Sequence, residues 1–226
     1  MNSLPTAVCA TNFRIEAMHR KTYHVLQELG EHLPYSIFSA AMGLLFLGVL
    51  SYIGMLLKAE EVLPKASKEL FHVFHPVHLL LSAAATTAMF WSHEKRFLKA
   101  LIIGFLGAVV ICGLSDIVLP FLGGSLLGVN MHLHICILEH PGMILPFVLV
   151  GIVAGFLAPL AISKSTQYSH AIHVMVSSMA SILYLTAFGL MNWMDFIGSV
   201  FIIVVLAVMI PCCISDIVFP LLLTEE

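Results

Sequence analysis

Three short motifs that carry ionisable residues occur twice in this chain, in the same order. A Glu-His pair, a His-x-x-His motif and a Ser-Asp-Ile-Val-x-Pro motif appear in the first half and return in the second. Their ionisable residues are Glu31, His32, His75, His78 and Asp116 in the first half, and Glu139, His140, His170, His173 and Asp216 in the second. Such side chains cost free energy inside a membrane, so their repetition predicts a functional site.

The residue types in these motifs indicate metal coordination. Two histidines at positions i and i+3, such as His75 and His78, share one face of a helix, so both imidazoles can reach the same ion. Carboxylates from other helices would complete a mixed nitrogen and oxygen shell. This shell suits a divalent transition metal (Zn, Fe, Mn, Co or Ni) better than calcium or magnesium, and zinc is the expected ion.

Two further features accompany the aspartates. Pro120 and Pro220 each stand four residues after an aspartate and cannot donate to its carbonyl, so we expect the main-chain oxygens of Asp116 and Asp216 to be freed. A cysteine stands one turn before each aspartate, on the same helix face. Cys112 and Cys212 could be soft ligands, although a buried cysteine more commonly serves as a small apolar filler.

Composition indicates an integral membrane protein. Of the 226 residues, 60% are hydrophobic and only 10% are charged, against about 25% charged in ordinary soluble domains. The net charge of −3 is too small to indicate a nucleic-acid partner. The partner expected from composition is therefore the lipid bilayer, and a homo-oligomer is left open.

The predicted fold is all-α, a polytopic membrane protein with six transmembrane helices. The apolar stretches cover about 35–57, 71–91, 97–122, 143–163, 169–190 and 196–223. They form two three-helix repeats, 35–124 and 143–226, joined by an extracytoplasmic, histidine-containing connection at 125–142. Because three spans are an odd number, the second repeat must be inverted relative to the first.

The basic residues of the loops predict the orientation. Seven lie on the side of the N-terminus, against three on the other side; the seven are Arg14, Arg20, Lys21, Lys95, Arg96, Lys99 and Lys164, and the three are Lys58, Lys65 and Lys68. By the positive-inside rule both termini are cytoplasmic, in a plasma or bacterial inner membrane. Residues 1–34 are expected to form a cytoplasmic segment with a short amphipathic helix, or a solvated tail.

This topology predicts two clusters of five side chains. The outer cluster would contain His75, His78, Asp116, Glu139 and His140, and the inner cluster would contain Glu31, His32, His170, His173 and Asp216. The connection adds His132, His134 and Cys136, and His72 lies one turn before His75. These residues could capture ions before entry, or could belong to a hydrated loop that binds nothing specific.

Small residues also recur in the second and fifth spans. Ser82, Ala83, Ala85 and Thr86 correspond to Ser177, Ser178, Ala180 and Ser181. Small side chains let transmembrane helices approach closely, so we expect these two spans to cross near the centre of the bundle.

The leading hypothesis is a transporter or channel for a divalent transition-metal ion, with a site near each membrane face, and not an enzyme. One alternative is a zinc-dependent intramembrane hydrolase, in which three histidines and an aspartate hold an activated water; it would need only one of the two clusters. The other is a di-haem transmembrane electron carrier with histidines as axial ligands, which would leave the repeated carboxylates without a role. Histidines that merely sit at the membrane interface would not require three motifs to recur in order.

Overall fold

The computed structural model describes the backbone of residues 5–59, 61–157 and 166–213. It describes the side chains of residues 30, 32–59, 61–157 and 171–212. The helices are α1 (Pro5–Leu56), α2 (Val62–His93), α3 (Phe97–Leu126), α4 (Cys136–Glu139), α5 (Pro141–Leu157), α6 (Thr166–Ala187) and α7 (Ile197–Cys213), with a 3-10 turn at Trp193–Phe196 before α7. Strands are absent from these ranges, so the all-α prediction is confirmed.

Four helical stretches are long and apolar enough to cross a bilayer. They are His32–Leu56 of α1, the whole of α2, the whole of α3, and Trp193–Cys212. Helix α5 and residues Ala171–Ala187 of α6 are apolar but shorter. The membrane prediction is therefore supported, whereas the count of six spans stays a prediction.

Helix α1 begins well before the first predicted span. It runs for 52 residues from Pro5 to Leu56 and contains Pro34 in its interior. The backbone of the segment predicted as a separate surface helix is thus continuous with the membrane-spanning part. The side chains of residues 1–29 lie outside the described residues, so the amphipathic character of that segment stays a prediction.

Helix α2 is the central element of the fold. It packs against α3, α5 and α6, while α1 packs against α6 and α7. The contact between α2 and α6 is the one that their small residues predict, and Ser177, Ser178, Ala180 and Ser181 are all buried on α6. Small side chains there let polar groups from both helices meet inside the protein.

Glycines on α5 allow an equally close approach to the other side of α2. A Cβ atom added at Gly155 would lie 2.7 Å from the carbonyl oxygen of Ala84. We expect Gly155→Ala to lower the free energy of unfolding by about 1–3 kcal/mol, because backbone cannot move aside as a flexible side chain can. Gly142→Ala on the same helix meets no atom within 4 Å. Denaturant unfolding should show that this control is neutral or slightly stabilised, and equal losses in both variants would contradict the close packing.

The backbone of α3 departs from α-helical geometry next to the repeated aspartate motif. Two π-helical segments occur, at Gly107–Ile111 and Leu114–Val118, and Cys112 lies between them. Segments of this kind are rare and concentrate at functional sites, because the widened turn changes the direction of the side chains. Here the second segment contains Asp116.

The π geometry also bears on which carbonyl the proline leaves unpaired. The N–H of Leu119 donates to the carbonyl of Leu114, five residues earlier. If the same five-residue spacing holds one position further on, the carbonyl of Ser115 would accept from residue 120. That residue is Pro120, which has no N–H to donate. The hydroxyl of Ser181 on α6 donates to the Ser115 carbonyl instead, at 3.1 Å. The carbonyl of Ser115 is thus one that a side chain satisfies, while the freed carbonyl at Asp116 stays a prediction.

Candidate metal centre

The carboxylate of Asp116 is the hub of a buried polar network between α2, α3 and α6. Its Oδ2 accepts hydrogen bonds from Nδ1 of His75 (2.8 Å) and from Nδ1 of His78 (2.7 Å). Its Oδ1 accepts from the hydroxyls of Ser115 (2.7 Å) and Ser177 (2.8 Å). Asp116 has no solvent exposure, and these four donors compensate for the cost of burying its charge.

This network selects the tautomers of two histidines. An ionised carboxylate only accepts hydrogen bonds, so the Nδ1 atoms of His75 and His78 must carry protons. In the neutral imidazoles the Nε2 atoms are then lone-pair donors. A carboxylate that holds Nδ1 while Nε2 binds an ion is the arrangement found around metal-bound histidines.

Three other potential ligands lie near the imidazole of His78. Its Nε2 atom contacts Nε2 of His173, and the centroids of the two rings are 4.5 Å apart. The ligand atoms of His78, His173 and Cys112 all lie within 4.8 Å of one another. The Sγ atom of Cys212 is 3.8 Å from Nε2 of His78. All four residues are buried at the meeting point of α2, α3, α6 and α7.

These distances lie on both sides of those in a compact transition-metal site. Zinc binds histidine nitrogen at about 2.0–2.1 Å and cysteine sulfur at about 2.3 Å, so the ligand atoms of a tetrahedral site lie about 3.3–3.8 Å apart. The Nε2 atoms of His78 and His173 are closer than this, at 2.5 Å, so their two rings would have to separate when an ion binds. Imidazole and thiol groups suit zinc or another transition metal, and are poor ligands for calcium and magnesium.

His75 has a different environment from His78. It is held by the same carboxylate oxygen, but its ring stacks on Phe71 with centroids 5.2 Å apart. Among the described side chains it belongs to none of the groups whose spacing suits a metal ion. His75 therefore lies beside the candidate centre, one helical turn from His78.

The structure distributes the ten predicted residues differently from the two proposed clusters. His75, His78 and Asp116 lie together as predicted, but His173, which we had assigned to the opposite cluster, contacts His78. Our assignment of His78 and His173 to separate sites is therefore wrong in the structure. The reason is that α2 and α6 cross closely enough for their imidazoles to meet between the helices.

Both oxygens of Asp116 accept hydrogen bonds from side chains. This arrangement suits a group that orients histidines, and the predicted role of Asp116 as a direct ligand stays a prediction. Sequence reasoning missed the hydroxyls of Ser115 and Ser177, although both lie in the repeated segments: one precedes the aspartate, and the other belongs to the small residues of α6.

Glu139 and His140 belong to a separate group at the end of the connection. Together with His134 they form one set of residues whose ligand atoms lie within 4.8 Å of one another. His134, His72 and Cys136 form a second such set. Burial and the nearby Glu139 raise the pKa of Cys136 to about 12, so its thiol stays protonated. Burial lowers the pKa of His134, which keeps its imidazole neutral.

Of the four remaining predicted residues, His32 alone has a described side chain. His32 is half-buried on α1 and, among the described side chains, joins none of the groups suited to a metal. The side chains of Glu31 and His170, and the whole of Asp216, lie outside the described residues. Their predicted roles as ligands stay predictions.

Comparisons of the chain with protein-family models, with curated proteins and with solved structures gave no match. The arguments for function therefore rest on the residues and their geometry.

Proposed function

We propose that this protein transports a divalent transition-metal ion across a membrane, and that the ion binds between His78, His173 and Cys112. Zinc fits the donor set best, and Cys212 is the candidate for a fourth ligand. The observation that carries the proposal is the contact between the Nε2 atoms of His78 and His173, with Asp116 bonded to the opposite ring nitrogen of His78.

The residues that meet at this centre are equivalent positions of the two halves. His78 and His173 are the second histidines of their His-x-x-His motifs, and Cys112 and Cys212 precede the two aspartates by the same interval. Two inverted three-helix repeats would place equivalent residues around a shared axis at mid-membrane, where transporters of this design bind their substrate. A site that uses both repeats suits alternate opening to either side.

The burial of the centre also favours transport. His78, His173, Cys112 and Cys212 are at most 1% exposed, so an ion bound there is reached only after the helices move. Because imidazole and thiol ligands must lose protons to bind a metal, uptake and release of the ion can be coupled to protonation. We place both termini in the cytoplasm on the distribution of lysine and arginine.

The contact between the two imidazoles argues against haem at this position. Axial histidines lie on opposite faces of the macrocycle, with the iron between their nitrogens. The Nε2 atoms of His78 and His173 are already within hydrogen-bond distance of each other. This spacing leaves no room for an iron between the two nitrogens; it is also shorter than the about 3.3 Å between two nitrogens on a tetrahedral ion, so the rings would have to separate slightly to hold a small ion.

Transport by purified protein in liposomes tests the proposal. Vesicles that contain a zinc-sensitive dye should fill with Zn²⁺ faster when they carry the protein than when they do not, and Mg²⁺ should not enter faster. Cys112→Ser should reduce the initial rate at least about tenfold, because it replaces a soft ligand with a weak hard one. His93→Ala, an exposed position at the end of α2, is the control and should transport normally.

Equal zinc entry with and without protein would contradict the proposal. So would a Cys112→Ser variant that transports like the wild type while binding equal zinc. Replacing zinc with manganese, iron, cobalt and nickel in the same assay would then identify the ion that the protein prefers.

A further inference from the structure

A second group of histidines lies at the junction between the N-terminal part of α2 and the connection before α5. Nε2 of His134 lies 3.1 Å from Nε2 of His72. The ring of His140 is close to both, with centroids 5.2 Å from His72 and 5.6 Å from His134. One imidazole from α2 and two from the connection thus lie side by side. His134 is the member shared by two groups of closely spaced ligand atoms, one with His72 and Cys136 and one with Glu139 and His140.

This group repeats the arrangement found around Asp116. The carboxylate of Glu139 lies 2.8 Å from Nδ1 of His134 and accepts a hydrogen bond from it. The Nε2 atom of His134 is thereby left as the lone-pair donor, and it is the atom that faces His72. A spacing of 3.1 Å is close to the separation of about 3.3 Å between two nitrogens on a tetrahedral zinc ion.

The packing around His134 indicates that its ring has one orientation. The side chain is only 2% exposed, and its ring stacks on Phe188 with centroids 4.7 Å apart. Its backbone N–H donates to the hydroxyl of Tyr184 at 3.1 Å. A histidine held in this way by three separate contacts is preorganised as a ligand, which reduces the cost of ordering it when an ion binds.

The other members of the group are accessible from outside. His140 and Glu139 are exposed and His72 is half-buried, whereas His78, Cys112 and His173 have almost no exposure. An ion could therefore reach this group without a change in the fold. One side of the site is buried and ordered, and the other is open.

Helix α2 connects the two sites. His72, His75 and His78 follow one another at intervals of three residues, so they form a row along one face of the helix. Phe71 lies beside this row: its ring stacks on His75 and contacts the edge of His134, with centroids 6.4 Å apart. The first histidine of the row belongs to the accessible group, and the last belongs to the buried centre.

We infer that His72, His134 and His140 form a second transition-metal site, oriented by Glu139, which receives the ion before it passes to the buried centre. The existence of this site is independent of transport, while its role as an entry site rests on the proposed function. Three imidazole ligands leave one coordination position open for water, as in a site that exchanges its ion. Cys136 is buried beside them, and its Sγ atom lies within 4.8 Å of ligand atoms of His72 and His134, so its thiol is a candidate for the remaining position.

Cobalt(II) reports thiolate ligands, which both sites could offer because Cys136 lies near two histidines of the accessible group. Purified protein titrated with Co²⁺ should bind two ions, of which the buried one produces the near-ultraviolet charge-transfer band of a cobalt–thiolate bond. The band of the buried centre is the one that Cys112→Ser removes and Cys136→Ser retains. The double variant His72→Ala/His140→Ala should bind one ion and retain that band. His132→Ala, an exposed histidine of the same connection, is the matched control and should still bind two.

Several results would overturn the inference. One is a wild-type protein that binds a single ion with the thiolate band that Cys112→Ser removes, and another is a double variant that still binds two. A single wild-type ion without the band, lost in the double variant, would instead support the entry site and contradict the buried centre. The side chains substituted in the double variant are exposed or half-buried, and an unchanged Tm without metal should show that the variant is folded.

The role in entry has its own measurement. In the liposome assay the double variant should show an apparent KM for zinc about tenfold higher, with an unchanged maximal rate, because a high ion concentration replaces capture at the entry site. A lower maximal rate at unchanged KM would contradict this role and would place these histidines in the translocation step.

Discussion

His78→Ala and His173→Ala should each abolish zinc binding at the buried centre, with a loss of affinity greater than about 100-fold. Each substitution removes a direct ligand, and loss of a ligand should cost more than the roughly 10- to 100-fold that follows loss of a group supporting one. The two effects should be equal, because the Nε2 atoms of these residues contact each other and would hold the same ion. The measurement is the rise in Tm on addition of zinc, which reports affinity through preferential binding to the folded state.

The equality of the two effects is the decisive feature of this experiment. The measurement is made in the His72→Ala/His140→Ala background, so that the accessible group contributes no thermal shift. If His78 and His173 belonged to separate sites near opposite faces, each variant would then keep one site and part of the shift. His93→Ala should behave like the wild type, because His93 is exposed and its Nδ1 lies within hydrogen-bond distance of the carbonyl of Met89. A clear difference between the two variants, with both proteins folded, would contradict a shared ion.

Asp116→Asn should reduce zinc affinity about 10- to 100-fold while changing the stability of the metal-free protein much less. The carboxylate accepts four hydrogen bonds, and an amide of the same shape can accept at only one of its two ends. The imidazole of His78 would lose the negative charge that orients it and increases its basicity as a ligand. The substitution also removes the cost of burying the carboxylate charge. This gain offsets part of the cost of the lost hydrogen bonds, so the free energy of unfolding of the metal-free protein should change little.

Ser177→Ala is the matched comparison for this prediction. It removes one hydrogen bond to Oδ1 and leaves both histidine contacts to Oδ2 intact, so affinity should fall only about threefold. Competition with a chromophoric chelator measures both variants on one scale. Wild-type affinity in Asp116→Asn would show that the aspartate has no part in orienting the ligands.

Much of the fold and the chemical character of the site could be predicted from the sequence. The apolar stretches indicate membrane helices because an uninterrupted run of such residues is stable only when lipid or protein covers it. The repeated motifs identify His75, His78, Asp116 and His173 as residues of interest, because polar residues at apolar positions are costly. Periodicity also indicates that His75 and His78 share a helix face.

The assignment of these residues to sites depended on the tertiary structure. Periodicity describes one helix at a time, and the depth of a residue along its own axis does not specify the rotation or crossing of its neighbour. His78 and His173 meet because small residues allow α2 and α6 to approach closely, and neither motif contains that information. The hydrogen bonds around Asp116 have the same origin, because its four donors come from three helices. The types of the candidate ligands can therefore be read from the sequence, whereas which of them lie close enough to share one ion depends on how the helices pack.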